Sequence, residues 1–141
     1  MKSLFFISLC AISIATAAQG LKSNDVPDVV KAALAKKYPQ ASKVSWDKEK
    51  GNHEANWGGR SGEDHSVQFT ASAQFVEQVD AIAVKDLPPP IISYVNTHYK
   101  TTIKEAGKRV DAKGLHTYEV EVKGKDLLFY IEGAFLSGEH E

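Results

Sequence analysis

Cysteine is almost missing from this chain. The single one, Cys10, sits inside an apolar run at residues 4–14. Beyond that run there is no thiol, which excludes disulfides, a thiolate nucleophile and cysteine-ligated zinc. An excess of one charge is missing too. The 17 Lys and Arg stand against 18 Asp and Glu, and this balance leaves no electrostatic footprint for nucleic acid or an anionic membrane. No apolar run approaches the ~20 residues that span a bilayer as a helix. No Asn-x-Ser/Thr acceptor occurs, and neither does a Gly-x-Ser-x-Gly elbow, an H-x-H or H-E-x-x-H zinc spacing, or the D-x-D-x-D-G pattern of a calcium loop. No cofactor or metal is expected.

The N-terminal run is not part of the fold. Lys2, the apolar stretch and the small-x-small set Ala15-Thr16-Ala17 read as a secretory signal peptide over residues 1–18, cleaved after Ala17 or Ala18. Leu9, not a small residue, precedes Cys10, so neither a lipid nor any other stable membrane anchor is expected. The expected location is the periplasm or the exterior. Without Lys2 the charge balance becomes 16 to 18. A disulfide-free exported chain of 141 residues must be held by its core, as one domain or as two half-domains sharing one core.

The most informative feature present is an echo. The segment DLPPPIISYVNTHY at residues 86–99 repeats the grammar of DVPDVVKAALAKKY at 25–38. Asp25, Val26 and Pro27 match Asp86, Leu87 and Pro88, while Val30, Leu34 and Tyr38 match Ile91, Val95 and Tyr99, all at an offset of 61. The i, i+4, i+8 spacing predicts one apolar face of a helix. Each helix is expected to begin at its Asp-aliphatic-Pro sequence; the extra prolines of the second would stiffen a crossover. Pro39 ends the first.

Strand alternation follows each helix, over 43–48, 53–57, 65–71 and 73–81, then over 102–110, 115–123, 126–132 and 133–136. Turn residues such as Gly51-Asn52, Gly58-Gly59 and Lys113-Gly114 separate the strands. Val67, Phe69 and Phe75 match Leu127, Phe129 and Phe135 at an offset of 60. The expected fold is α+β. It is a tandem repeat of two helix-plus-four-strand units, 19–85 and 86–141, forming one antiparallel sheet with the helices on one face. Joining two thin units into one sheet removes inner edges.

This layout, with its exported start and its P-x-x-V-x-x-x-L/V-x-x-x-Y helix pattern, resembles the PepSY-like, β-lactamase-inhibitor-like periplasmic proteins of Bacteroidetes. The resemblance covers nearly all of the chain beyond residue 18. It implies one curved, roughly eight-stranded sheet, and it attaches enzyme inhibition or regulation of an envelope protein to the fold. The β-lactamase inhibitors of this shape carry disulfides, which the mature chain lacks.

Strand parity sorts candidate residues by face. Leu127, Phe129 and Ile131 turn inward with Tyr118, Val120 and Val122. Leu128 and Tyr130 turn outward onto a face free of helices, flanked by Glu119, Glu121, Gln68 and Thr70. An aliphatic and an aromatic residue with a polar rim make a candidate binding patch. Arg60, at the tip of the glycine-rich loop 58–64, is a third candidate contact; as a flexible hairpin connection the loop would need no such role.

The remaining groupings have bland readings. His53 and His116, at the start of the second strand of each half, read as edge-of-core histidines, and His65, His98 and His140 are scattered. Asp47/Glu49 and Glu63/Asp64 are the nearest acidic pairs for calcium. Asp47 with Asp111 is the nearest carboxylate pair for catalysis, and both read as solvated strand ends. The resulting expectation is an exported, non-enzymatic module that binds an envelope protein through Tyr130, Leu128 and Arg60. The alternative is a metal- or small-ligand-sensing module.

Overall fold

The computed structural model describes residues 19–140, so the expected signal peptide lies outside the described residues. Chain order runs β1 (Gln19–Leu21), α1 (Asp28–Lys37), β2 (Ser45–Glu49), β3 (Asn52–Trp57), β4 (His65–Phe69) and β5 (Phe75–Ile82). It continues with α2 (Pro89–Tyr99), β6 (Glu105–Asp111), β7 (His116–Glu121), β8 (Lys125–Tyr130) and β9 (Phe135–His140). No described helix is long and apolar enough to cross a membrane.

Proline sets the helix starts, at positions the pattern alone misplaces. Ser23–Asp25 is a separate 3-10 turn, and Val26 leaves it extended, with ψ 130°, as a residue before proline prefers. Pro27 is itself extended, with ψ 138°, so α1 begins at Asp28 and not at Asp25. Pro88 plays the same part before α2, and Pro89 and Pro90 fill the first turn. Backbone donors there have no acceptor within the helix, so proline loses nothing. The extra prolines therefore build the helix start instead of stiffening a crossover.

All nine strands lie in one antiparallel sheet, each paired with its chain neighbour. This is one strand more than expected. The addition, β1, pairs with the outer edge of β2 and sets Leu21 opposite Trp46. Three residues are too few to reveal an alternation in sequence.

Both helices pack on the same face. Val30 and Leu34 of α1 join Trp46, Ala55, Trp57, Val67 and Phe69 in one buried cluster. Ile91 and Val95 of α2 join Ala106, Val120, Leu127 and Phe129 in a second. Register carries one face across the sheet, through Val67 opposite Gln78 in β5 and Ile82 of β5 opposite Ala106. Bulges interrupt the ladder at Gln68/Phe69 and at Leu128/Phe129. The turns beyond them close with the same bond pattern, Thr70 N–H to Gln74 O and Tyr130 N–H to Ala134 O.

Candidate functional site

Helices on one side leave the other side of the sheet open. Register arranges its side chains in rows. Asp47, Glu54, Gln68 and Glu77 lie across β2 to β5. Val79, Arg109, Thr117 and Tyr130 lie across β5 to β8, and Glu105, Glu121 and Asp126 across β6 to β8. A hollow of about 670 Å³ runs over this face, a size typical of ligand clefts. Gly107 in its lining has no room for a side chain: a Cβ there would lie 2.5 Å from Val79 Cγ1 and 3.3 Å from the Asp80 carbonyl oxygen. At one end the loop after β3 bends over the hollow and lends it Glu63 and Asp64. Ala81 N–H donates to Asp64 O at 2.9 Å. Gly59 permits that bend, with φ 65° and no room for a Cβ beside the Asp64 carboxylate.

The hollow is acidic. Ten carboxylates line it, against three cations, Lys50, Lys104 and Arg109. Arg109 sits between two of the carboxylates. Its Nε donates to Glu77 Oε2 at 2.8 Å, its Nη2 lies 2.6 Å from the same oxygen, and Glu119 Oε2 is 3.7 Å from Nε. All three side chains are under a quarter exposed. Gln68, itself buried, donates from Nε2 to Glu49 Oε2 (3.2 Å) and Glu54 Oε2 (3.1 Å), holding two carboxylates together. Asn56 donates to Asp47 Oδ2 at 3.1 Å.

Burial, a shared hydrogen bond and neighbouring carboxylates raise pKa values here. Burial first, then the charges of Asp126 and Glu77, push Glu119 up to about 8 against the opposing pull of Arg109 and Lys50. The hydrogen bond shared with Glu54, then burial, then the Glu54 and Asp126 charges raise Glu49, opposed by Lys50.

The sign for stability follows from linkage. The fold holds the Glu119 proton to about pH 8, whereas the ordinary value is 4.5. Folding therefore takes up protons between those values, and this contribution is complete below 4.5 and lost as pH rises through 8. Glu119→Gln, neutral at every pH, is expected to melt near wild type at pH 5 and higher than wild type at pH 9. The gain should be on the order of 1 kcal/mol, a few degrees in Tm. Equal melting offsets at both pH values would contradict the raised pKa of Glu119.

The three sequence candidates fare differently. Tyr130 is on the open face and 36% exposed. Leu128 is on the same face and lines the hollow, yet it is only 6% exposed. Opposite Glu119 and Ser137 in register, it is packed into the floor, which corrects its reading as an exposed anchor. Arg60 is exposed at the loop tip and does not line the hollow. Glu119, Glu121 and Gln68 do line it, whereas Thr70 closes a turn by accepting from Gln74 N–H.

Both acidic pairs weighed for calcium, Asp47/Glu49 and Glu63/Asp64, line the hollow. Among the described residues, however, no three His, Cys, Asp or Glu groups converge on one ion position. His53 is buried on the helix side, where burial and Lys48 lower its pKa. His116 is exposed at the end of β7, so its expected place at the edge of the core is corrected. Asp47 sits on β2 and lines the hollow, whereas Asp111 sits on β6 outside it, accepting from the Lys113 and Leu115 N–H groups of its own turn, so they form no pair. Sequence reasoning missed Glu77, Glu105 and Arg109. Their alternation within β5 and β6 was available, but the register joining them to Glu119 was not.

No family model and no curated protein matches the chain. Solved structures do. A DUF2874 family protein from Bacteroides uniformis is 24% identical, with TM-score 0.62 over 80% of this chain and 88% of that one. A candidate periplasmic protein from Bacteroides eggerthii is 20% identical, with TM-score 0.64 over 81% and 88%. A BLIP-like protein from Bacteroides fragilis is 21% identical, with TM-score 0.55 over 80% and 85%. The chain thus has the fold shared by these Bacteroides DUF2874 and BLIP-like proteins.

Proposed function

We propose that this chain is an exported, non-enzymatic binding module that receives an envelope protein on the open face of its sheet. One observation carries the reading. The helices cover a single face, and the other is a hollow of about 670 Å³ with a half-open aromatic, Tyr130, on the same face. The fold shared with a BLIP-like protein is consistent with such surface occlusion, which needs neither covalent chemistry nor a cofactor. A PepSY-like origin in two units, 19–85 and 86–141, agrees with the matching 3-10 turns, bulges and hairpins in the two halves.

The test is recovery of a partner from an envelope extract by the mature chain, Gln19 onward. Tyr130→Ala is expected to lower recovery at least about tenfold, as loss of an aromatic anchor does. Val29→Ala, on α1 and 58% exposed, should leave recovery unchanged. Leu128→Ala is unsuitable for this purpose, because it would hollow the floor. Equal recovery with Tyr130→Ala would remove the open face as the binding surface.

A further inference from the structure

The charge on the open face goes beyond the presence of a binding surface to the chemistry of what it binds. The chain is nearly neutral overall, but its charges are sorted. Ten of the 18 acidic residues line the hollow, and only three of the 17 basic ones do, leaving 8 acidic and 14 basic residues elsewhere. The three cations inside are already turned to carboxylates of the hollow: Arg109 to Glu77, Lys104 to Glu121 and Lys50 to Glu49. The formal excess is therefore seven negative charges on one face.

This excess is not built for a single ion, since no three ligating groups converge among the described residues. It is spread around the hollow on residues from β2 to β8, and the charge of Asp126 on β8 reaches Glu49 on β2. One further polar group on this face lacks a partner. Thr117, between Arg109 and Tyr130 in register, is 2% exposed, and its Oγ1 makes no hydrogen bond.

We infer that the guest of the open face is a polycationic protein segment, an extended stretch carrying several lysine or arginine side chains that meet the carboxylates of the hollow. This rests on the reading of the open face as the binding surface. Charge complementarity carries it. A cationic side chain recovers the attraction of carboxylates that otherwise repel one another, and an ammonium or guanidinium can donate to carboxylate and hydroxyl alike. The raised pKa values of Glu49 and Glu119 accord with it, because two carboxylates hold protons where a cation would serve.

The probe is a fluorescein-labelled ten-residue peptide of alternating lysine and serine, with an alternating glutamate and serine peptide as control, followed by anisotropy. The mature chain is compared with two triple variants of equal net charge. One neutralises a row of the hollow, Glu105→Gln, Glu121→Gln and Asp126→Asn. The other neutralises exposed carboxylates elsewhere, Asp25→Asn, Asp28→Asn and Asp86→Asn, and melting curves check that both fold.

The lysine peptide is expected to bind, and to weaken at least about tenfold both in high salt and in the hollow variant. The outer variant should stay within about twofold, as its carboxylates do not line the hollow. Equal losses in the two variants, or equal binding of the glutamate peptide, would overturn the inference. A salt-sensitive oligomer abolished only by the hollow variant would overturn it in favour of a second copy as occupant. If the lysine peptide is ignored while an envelope partner is still captured and lost with Tyr130→Ala, the open-face reading survives and the polycationic guest does not.

Discussion

Replacing Arg109 with Met is expected to destabilise the protein by about 3 kcal/mol at pH 8.5, the lower part of the range for breaking a buried ion pair. Met preserves most of the aliphatic stem, so the loss isolates charge from packing. Arg109 is 14% exposed and meets Glu77, 18% exposed, at 2.6 Å. The lower part of the range applies because water still reaches both groups. Removing the guanidinium leaves Glu77 and Glu119 near one another with no cation between them.

The loss depends on pH, and its sign can be stated. At pH 5.5 Glu119, raised to about 8, already holds its proton, so only the Glu77 pairing is lost. At pH 8.5 both carboxylates are charged, and the deficit grows. Urea denaturation of wild type and variant at the two pH values measures this directly. Adding Glu77→Gln and Glu119→Gln to Arg109→Met should restore most of the loss, because the repelling charges are gone. A deficit that is the same at both pH values would mean that Arg109 acts through packing.

The largest single effect is expected from Phe129→Ala, at about 3–5 kcal/mol. That is a large fraction of the roughly 5–15 kcal/mol by which domains are stable. Phe129 is fully buried, and its ring meets Tyr94 at 5.3 Å and Phe135 at 5.6 Å, both edge-on. Neither neighbour can collapse into the cavity without leaving the sheet or α2, so the void persists. The two core clusters are joined by a continuous ladder through β5 and β6, and melting should remain a single transition at lower temperature. Loss of only half the sheet signal, with the α1 half still folded, would make the two clusters independent units.

Much of the fold was legible because its signals are local. The spacing of Val30 and Leu34, and of Ile91 and Val95, marks helix faces that pack as expected. Alternation within β7 and β8 placed Val120 and Phe129 inward correctly. It also put Gln68, Glu119, Leu128 and Tyr130 on the opposite face, since parity along one strand needs no knowledge of its neighbours. Failures came where the deciding partner was distant or the segment short. β1 has three residues. The start of α1 turned on the extended geometry of Pro27. Leu128 reads as exposed from parity, but side chains packed around it in the assembled sheet bury it.

The sequence alone therefore determined the two helices, eight of the strands and, apart from Ile131, which reads as inward but is 61% exposed beyond the end of β8, which residues share a face, because periodicity is a property of each segment by itself. It also determined a near-neutral net charge, but a sum over residues carries no information about position. Only the tertiary structure decided that ten carboxylates line one hollow, that Arg109 stands between Glu77 and Glu119, and that Gln68 holds Glu49 beside Glu54. The physical reason is register. It aligns residues from strands far apart in the chain, and Coulomb interactions act through the few ångströms that register sets.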